Sequence, residues 1–329
     1  MTSTLNINGT LVPADIGETL VDAALGGKIL IPHDCASGQC ETCRVTVAFG
    51  AVDGAGTDYG NTVLACQARV SGDATITYDA VDPPETVSGV VSEISALNDD
   101  VAEVVVKVTD GYRHRPGQYA HVKFAGFPAR EYSYSARMGD EDRADEAVFQ
   151  IKRYGRGRVS PALGKSIRTG HRVSMHGPFG NAFLREQSAE PIVLVSSGTG
   201  FAPIWSLAKA VTRSNRRRPM TMVVGSRVQA GLYMAPAMDW LRDHQQTGIK
   251  LVSSEAASRT VAQGRPDAHL GDLQRESHVH VAGSPRLVEA VRARALVAQA
   301  QCFADPFTPS TQKRSFGDFV APLFNRRRA

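Results

Sequence analysis

The sequence predicts a multidomain protein: a small α+β domain, an antiparallel β-barrel and a doubly wound α/β domain. Its 329 residues suffice for two or three domains of ordinary size. A Pro-Pro pair interrupts the strand pattern in VDPPET (81–86), and a polar loop, REQSAEP (185–191), precedes a change to alternating strands and helices. The predicted domains are residues 1–82, 87–187 and 188–310, followed by a basic tail at 311–329.

The first block contains a hairpin (TLNINGTLV), a helix (ETLVDAALGG), a cysteine-rich loop and a strand (CRVTVAFG). The second block has alternating strands such as VSGVVSEI and VAEVVVKV and one short helical segment near 158–166, which is typical of a small antiparallel barrel. In the third block, strands such as PIVLVSS alternate with helices that begin near 201, 233 and 286. That alternation predicts a parallel sheet with helices on both faces.

Composition narrows the class of protein. Hydrophobic residues make up 42% of the chain, but no apolar run approaches the roughly 18 residues that a spanning helix needs. The N-terminus lacks a basic end followed by an apolar core, so we expect a cytoplasmic protein without a secretory signal. A net charge of +4 is too mild to indicate a nucleic acid partner.

Three of the five cysteines are crowded into CASGQCETC. Cys35, Cys40 and Cys43 have the spacing C-x4-C-x2-C, and Cys66 follows in TVLACQARV. This is the ligand spacing of a plant-type [2Fe–2S] centre, in which four thiolates surround two irons. An odd number of cysteines in a reducing compartment argues against a disulfide framework.

A structural zinc site is the alternative for the four cysteines, although zinc usually prefers paired C-x2-C knuckles and only one is present. The small residues Ala36, Ser37 and Gly38 would let backbone N–H groups approach the sulfurs, and Gly38 can adopt a positive φ where the loop turns. We expect the fifth cysteine, Cys302, to be a strand residue rather than a ligand.

Residues 1–82 resemble a plant-type ferredoxin domain of the β-grasp fold. In the second block, AREYSYSA resembles the R-x-Y-S signature of the ferredoxin–NADP reductase superfamily. The resemblance implies that Arg130 faces the flavin phosphates, that Tyr132 packs on the flavin, and that Ser133 lies near flavin N5. Tyr132 and Ser133 are thus the expected catalytic residues, with Ser135 beside the cofactor. On a strand, residues 130 and 132 share one face and Ser133 points to the other.

The segment YGRGRVSPAL resembles a second motif of that superfamily, G-[RK]-x-S-x-x-L. Gly157, Arg158, Val159 and Ser160 would open a short helix, where free N–H groups suit a pyrophosphate. Pro161 fits the first turn of such a helix. An ordinary capped surface helix is the alternative.

The third block opens with VLVSSGTGFAPIWSL, in which a strand runs into Gly198, Thr199, Gly200 and Pro203. Glycines after a strand let backbone N–H groups approach phosphate, and the following helix adds its positive end. The longer GTG-x-A-P string resembles the nicotinamide-nucleotide signature of the superfamily. In VAGSPRLVEAV, Ala282 stands where many members have cysteine.

Two further segments bear on the cofactors. In CFADPFTPS, Phe307 would cover the flavin face or belong to the core of a final strand. The adenosine-ribose pocket is expected at 223–234, where Ser226 and Arg227 are present and no acidic residue occurs. These residues admit NADPH, whereas the resemblance implies NADH, so we expect the use of both nucleotides, with NADH favoured.

The order of the three blocks resembles the reductase components of bacterial ring-hydroxylating dioxygenases and related oxygenases. This implies electron transfer from NAD(P)H through FAD, rather than FMN, and a [2Fe–2S] cluster to a separate ferredoxin or the terminal oxygenase. We expect a monomer without nucleic acid or membrane partners, in aromatic hydrocarbon catabolism. Reductases of diiron monooxygenases or cytochromes P450 are the alternative, and a nucleotide sensor with a zinc finger is a rival from another class. The basic tail would steer an acidic acceptor or be a solvated extension.

Overall fold

The computed structural model describes residues 2–108, 112–140, 142–155, 157–245 and 247–308. The predicted tail at 311–329 lies outside these residues. Within the described part, the chain forms one mixed sheet, one closed barrel and one parallel sheet, in that order along the sequence.

The first sheet consists of five strands and one helix: β1 (Thr2–Ile7), β2 (Thr10–Asp15), α1 (Leu20–Gly26), β3 (Arg44–Asp53), β4 (Thr62–Leu64) and β5 (Arg69–Thr77). Its strand order is β2-β1-β5-β3-β4, with β1 parallel to β5 and the other pairs antiparallel. Thr19 begins the helix, because its hydroxyl accepts a hydrogen bond from the Asp22 N–H. The chain between α1 and β3 is the loop that carries three of the cysteines.

The barrel consists of six strands: β6 (Glu85–Ala96), β7 (Val101–Val108), β8 (Tyr119–Phe124), β9 (Arg130–Ser135), β10 (Glu146–Lys152) and β11 (Arg172–Phe179). It closes in the order β10-β7-β6-β11-β8-β9, and every pair is antiparallel. Valine and phenylalanine side chains fill its interior, among them Val104, Val106, Phe124 and Phe149. Closure leaves no sheet edge exposed along the strands that hold the predicted flavin motif.

The third sheet is entirely parallel. Its elements are β12 (Ile192–Ser197), α2 (Phe201–Ser214), β13 (Met220–Ser226), α3 (Ala235–His244), β14 (Thr247–Ser253), β15 (Val261–Gln263), β16 (His278–Gly283), α4 (Pro285–Val297) and β17 (Gln301–Pro306). The strand order is β15-β14-β13-β12-β16-β17, so the direction of winding reverses between β12 and β16. Ligands bind such sheets in the crevice at that reversal, outside the carboxyl ends of the strands.

The predicted fold class is confirmed, since the chain contains a mixed α+β sheet, an antiparallel barrel and a doubly wound parallel sheet. Helices predicted to begin near 201, 233 and 286 begin at 201, 235 and 285. The short helix expected near 158–166 is a single 3-10 turn, Ser160–Ala162. The domain boundaries at 82, 87 and 188 remain predictions. Among the described residues, no helix is both long and apolar enough to cross a bilayer.

The first sheet contacts the parallel domain through Arg292 of α4. The Arg292 guanidinium donates to Glu41 Oε1 at 2.7 Å and lies 4.2 Å from the centroid of the Tyr59 ring. The Tyr59 hydroxyl in turn donates to the Arg292 carbonyl at 2.9 Å. Glu41 also accepts from Arg44, so a buried carboxylate of the cysteine loop is held by two guanidinium groups. These two cations hold the pKa of Glu41 below its usual range against the opposing effect of burial.

A second junction is built on Arg185, which follows the barrel. Its guanidinium donates to Asp79 Oδ2 at 2.7 Å, in the segment that joins the first sheet to the barrel. The same group lies 4.0 Å from the ring centroid of Phe183 and 3.8 Å from that of Phe303 in β17. One arginine therefore contacts all three sheets or their connecting segments.

Candidate functional site

The four predicted metal ligands come together as two pairs of thiols. A hydrogen bond from Cys40 lowers the pKa of the Cys35 thiol to about 4, and one from Cys43 lowers the pKa of Cys66 to about 6. The partners in each pair, Cys40 and Cys43, have raised pKa values for the same reason. Four sulfurs grouped two and two match the donor set of a two-iron centre.

Backbone amides of the loop point at these sulfurs. The N–H groups of Ser37 and Gln39 donate to Cys35 Sγ at 3.4 and 3.3 Å. A third amide, that of Gly38, hydrogen-bonds the Cys66 sulfur and helps to lower its pKa. Gln67 Nε2 lies 3.6 Å from the same sulfur. Such bonds stabilise thiolates and tune the potential of an iron–sulfur centre, so the loop fits the predicted [2Fe–2S] cluster.

Gly38 is required by the shape of this loop. Its φ is +75°, and a Cβ there would lie 3.1 Å from Gln67 Cγ. Ala36 and Glu41 also have positive φ values, of 51° and 58°, which side-chain-bearing residues adopt only when their surroundings hold them there. The predicted positive φ at Gly38 is therefore confirmed.

Strand β9 presents the predicted flavin residues on two faces. The register of the antiparallel pair β8–β9 sets Ala120 opposite Tyr132 and Tyr119 opposite Ser133. Tyr132 packs against the barrel core, whereas Ser133 is buried on the opposite side of the strand, the side that Tyr119 shares. Arg130 begins the strand, and Ser135 ends it with its hydroxyl 3.4 Å from the Ala136 carbonyl.

Ser133 makes one of the contacts that join the barrel to the parallel sheet. Its Oγ donates to Asp305 Oδ2 at 2.7 Å, although 172 positions separate the two residues in the chain. Burial raises the pKa of the Asp305 carboxyl to about 6, and the nearby charge of Glu131 acts in the same direction. Asp305 is part of the segment CFADPFTPS, but the sequence pattern singled out only Phe307 in it.

The second predicted flavin segment is a turn with open space around its glycine. Gly157 has a φ of +116° and no atom within 4 Å of the place a Cβ would take. Arg158 beside it is exposed, and Ser160 Oγ accepts from the Tyr154 N–H at 3.1 Å. The Val159 side chain is buried in the barrel core, so the predicted cofactor contact at this position would be made by its backbone. Only the Val159 backbone is available to a ligand.

The predicted nucleotide loop lies at the reversal point of the parallel sheet. Gly198 has a φ of +55°, with open space where a side chain would be. A Cβ on Gly200 would lie 2.2 Å from the Ala282 carbonyl oxygen, so the ends of β12 and β16 approach too closely for any other residue. Thr199 lies between these glycines, and Pro203 is buried in the first turn of α2.

The end of β17 closes the same crevice. Asp305 pairs with Ala282 in the parallel register, and the Phe307 N–H donates to the Gly283 carbonyl at 2.7 Å. Phe307 is partly buried directly after the strand. Asp305 therefore contacts Ser133 of the barrel and precedes Phe307 by two residues, at the mouth of the nucleotide crevice.

The fold places an acidic residue, Glu255, beside the predicted adenosine pocket. Ser226 ends β13, and the Arg227 guanidinium that follows donates to Glu255 Oε1 at 2.7 Å. The Glu255 N–H also donates to the Arg227 carbonyl at 3.0 Å. The stretch 223–234 contains no acid, but the fold supplies one from the segment that follows the neighbouring strand β14.

Comparison with known families assigns two of the three domains. Residues 4–71 match the model of a 2Fe-2S iron-sulfur cluster binding domain, and residues 194–293 match that of an oxidoreductase NAD-binding domain. The first range contains all four paired cysteines, and the second contains the glycine crevice. The structural zinc alternative for the cysteines is therefore wrong.

Curated relatives cover nearly the whole chain. The chain is 27% identical over 325 residues to the ferredoxin–NAD(P)(+) reductase component of the naphthalene 1,2-dioxygenase system of Pseudomonas putida, covering 92% of this chain and 97% of the relative. It is 28% identical over 336 residues to the reductase subunit of an aromatic O-demethylase of Amycolatopsis, covering 94% of this chain and 100% of the relative. Along nearly its whole length the chain is therefore similar to the reductase components of multicomponent oxygenases.

Solved structures of other oxygenase reductases share this fold. A cytochrome P450 reductase of Amycolatopsis matches with a TM-score of 0.68 and 25% identity, covering 94% of this chain and 100% of the other. The ferredoxin reductase in carbazole 1,9a-dioxygenase matches with a TM-score of 0.64 over 93% of this chain and 99% of the other, at 24% identity. The predicted class, an NAD(P)H-dependent oxygenase reductase with an iron–sulfur domain, is confirmed, and the non-enzymatic sensor is wrong.

Replacing Gly38 tests the shape of the cysteine loop of this oxygenase reductase. We expect Gly38→Ala to reduce the iron bound per chain at least twofold. A positive φ is unfavourable for alanine, and the added Cβ would crowd the Gln67 side chain. Gly17→Ala is the matched control, since Gly17 has a φ of +92° in open space in the same sheet. Colorimetric iron assay and thermal unfolding of both purified variants check this. Equal iron contents in the two variants would contradict the requirement.

Replacing Asp305 tests its raised pKa. A folded-state pKa of about 6 against an unfolded value near 4 means that the folded protein binds more protons between these values. Wild-type stability should therefore fall as the pH rises from about 4 to about 6. We expect Asp305→Asn to remove this loss, so that its Tm relative to wild type is higher at pH 7 than at pH 4.5. The control is Asp272→Asn, at an exposed position of the same domain. A pH-independent Tm difference for Asp305→Asn would exclude the raised pKa.

Proposed function

We propose that this chain is the FAD-containing reductase of an aromatic ring-hydroxylating dioxygenase system, located in the cytoplasm as a monomer. It takes electrons from NAD(P)H and delivers them singly to a separate ferredoxin or to the terminal oxygenase. The observation that carries the proposal is the Ser133–Asp305 hydrogen bond, which joins the predicted flavin strand to the nucleotide crevice. Relatives named as reductases of naphthalene and terephthalate dioxygenases support the dioxygenase assignment.

When bound, NAD(P)H, FAD and the cluster supply hydride donation, hydride acceptance and one-electron delivery, respectively. The chain supplies position and charge. Arg130 offers a cation to the flavin phosphates, and the open turn at Gly157 offers backbone N–H groups to the pyrophosphate, with Arg158 and Ser160 beside it. Tyr132, Ser133, Ser135 and Phe307 surround the isoalloxazine in this proposal. A ferredoxin NADP+ reductase of Neisseria gonorrhoeae, a structural neighbour of the same fold, binds FAD and NADP.

The hydrogen shared by the Ser133 hydroxyl and the Asp305 carboxyl group lies where hydride transfer is proposed, and its position depends on pH. Above pH 6 the Asp305 carboxylate is ionised and accepts the Ser133 hydroxyl hydrogen, which fixes the direction of the Ser133 Oγ lone pairs. Below that pH the carboxyl group is protonated and becomes a donor itself. The buried Asp305 therefore sets whether Ser133 donates or accepts near the flavin.

The nucleotide crevice has its own set of residues. Gly198, Thr199 and Gly200 present backbone N–H groups to the nucleotide phosphates, and the N-terminal turn of α2, which includes Pro203, lies behind them. Ala282 replaces the cysteine common in the superfamily and keeps this end of β16 small and apolar. Electrons then leave through the exposed edge of the cysteine loop at Ala36, Ser37 and Gln39.

The choice between NADH and NADPH depends on Arg227. Its guanidinium would bind a 2′-phosphate, but it is paired with Glu255 at 2.7 Å. The Glu255 carboxylate repels a phosphate and accepts a hydrogen bond from a ribose hydroxyl. We therefore propose that NADH is favoured and that NADPH remains usable, because both side chains are exposed and the pair is weak.

A reductase for a monooxygenase or a cytochrome P450 is the second candidate. It is favoured by the match to the Amycolatopsis P450 reductase and by relatives of propane 2-monooxygenase systems. Reconstitution separates the candidates: the reduced protein should transfer electrons to a ring-hydroxylating dioxygenase or its ferredoxin at least tenfold faster than to a diiron hydroxylase or a P450. The reverse order would replace the dioxygenase assignment.

The proposed function is tested by the optical and magnetic spectra of the purified protein. We expect flavin absorption overlapped by iron–sulfur bands, release of FAD rather than FMN on denaturation, and a rhombic EPR signal after reduction with NADH. Iron and flavin assays give the stoichiometry. A correctly folded, fully loaded preparation that contains no flavin, or whose flavin NADH does not reduce, would end the proposal.

Removing the acid beside Arg227 tests the nucleotide choice. We expect Glu255→Gln to raise kcat/KM for NADPH about tenfold relative to NADH, because the change removes the charge that repels a 2′-phosphate and also frees the Arg227 guanidinium. Tenfold corresponds to about 1.4 kcal/mol. Glu276→Gln is the control, at an exposed position of the same domain. Steady-state kinetics with both nucleotides measure the ratio. No change in the ratio would show that Glu255 does not set it.

A further inference from the structure

Tyr119 of the barrel contacts the cysteine loop near both ends of the stretch from Cys35 to Cys43. The Tyr119 hydroxyl donates to Asp34 Oδ2 at 2.6 Å and lies 3.1 Å from Thr42 Oγ1. Asp34 immediately precedes Cys35, and Thr42 immediately precedes Cys43. A single phenol group on β8 therefore contacts the residues beside two of the four cluster ligands.

A second barrel side chain completes this contact. His121 Nε2 lies 3.0 and 2.9 Å from the two oxygens of Asp34 and donates to them, since a carboxylate only accepts. The Asp34 side chain is 1% exposed, so the carboxylate needs protein donors such as these in place of water. Phe179 packs against both donor rings, at centroid distances of 5.8 Å from Tyr119 and 5.2 Å from His121. The contact between Asp34 and the two barrel side chains is therefore buried, and Phe179 restrains the rings of both donors.

The same strand leads directly to the flavin residues. Tyr119 pairs with Ser133 across β8–β9, and residues directly opposite on antiparallel strands have Cβ atoms about 4.5–5.5 Å apart. Ser133 in turn donates to Asp305 at the nucleotide crevice. Asp34, Tyr119, Ser133 and Asp305 thus form an unbroken series of contacts from the cluster loop to the crevice.

We propose that Tyr119 and Asp34 are positioning residues that fix the separation between the cluster and the flavin. The inference rests on the proposed function. Neither residue makes or breaks a bond. They hold the cysteine loop against β8, which pairs with the strand that carries Ser133. Electron transfer between two groups slows steeply when their separation grows.

Other contacts keep the first sheet attached when this one is lost. Arg292 holds Glu41 from the parallel domain at 2.7 Å, and Arg185 holds Asp79 at 2.7 Å. Removing the Tyr119 hydroxyl should therefore loosen one side of the loop without detaching the domain. This separates a positioning role from a role in overall stability.

The test is Tyr119→Phe in the full-length protein loaded with FAD and cluster. Stopped-flow absorption should show flavin reduction by NADH within twofold of wild type, followed by cluster reduction slowed tenfold or more. Hydrogen–deuterium exchange of residues 34–43 should be faster than in wild type. The cluster midpoint potential, measured by EPR titration, should be unchanged, which excludes a change of driving force.

Two further variants make the result decisive. Tyr112→Phe is the matched control, because it removes a buried hydroxyl that bonds Tyr134 inside the same barrel. It should leave both rates and the exchange of residues 34–43 unchanged. Asp34→Asn, with its iron content verified, should slow cluster reduction in the same way and serves if Tyr119→Phe does not fold.

The measurements distinguish failure of the positioning inference from failure of the proposed function. Cluster reduction at the wild-type rate in both Tyr119→Phe and Asp34→Asn would overturn the inference, as would slowing that a shifted potential accounts for or that Tyr112→Phe shares. Failure of NADH to reduce the flavin of the wild-type protein would instead overturn the proposed function, because that step does not involve Tyr119.

Discussion

Pairing of β8 with β9 is the constraint on which the rest of the site depends. An antiparallel register cannot shift by one residue without sending every side chain to the opposite face. With Tyr119 fixed opposite Ser133, the outer side of the two strands contacts the cysteine loop at one point and Asp305 at another. Tyr132, on the other side, packs against the barrel core. Barrel closure protects this register, because neither strand is an edge.

The contacts between domains follow a common chemical pattern. Three of them place a carboxylate of one domain among donors of another: Asp34 meets Tyr119 and His121, Glu41 meets Arg292, and the side chain of Asp305 meets Ser133. A buried carboxylate without such donors is costly, so each contact favours one arrangement of the domains over others. Interfaces made of polar pairs in this way are more specific than interfaces made of apolar surface alone.

The fold and the local motifs were predictable from sequence because their signals are short-range. Cysteine spacing, the glycines after β12 and the alternation of strands and helices are all legible within windows of a few residues. The contacts that connect the motifs were not predictable from the sequence. Ser133 and Asp305 are 172 positions apart and Tyr119 and Asp34 are 85 apart, and neither pair has a local pattern that announces it. At Val159 the motif predicts a cofactor contact, and burial of the side chain in the barrel core leaves the backbone to make it.

Helix α4 contacts both the nucleotide crevice and the cysteine loop. It begins directly after Gly283 and Ser284, at the lip of the nucleotide crevice, and two turns later Arg292 grips Glu41 between two of the iron ligands. A helix rises about 1.5 Å per residue, so these two points are about 10 Å apart on one element. The position and tilt of α4 therefore set two boundaries at once, that of the nucleotide crevice and that of the loop that carries the cysteines.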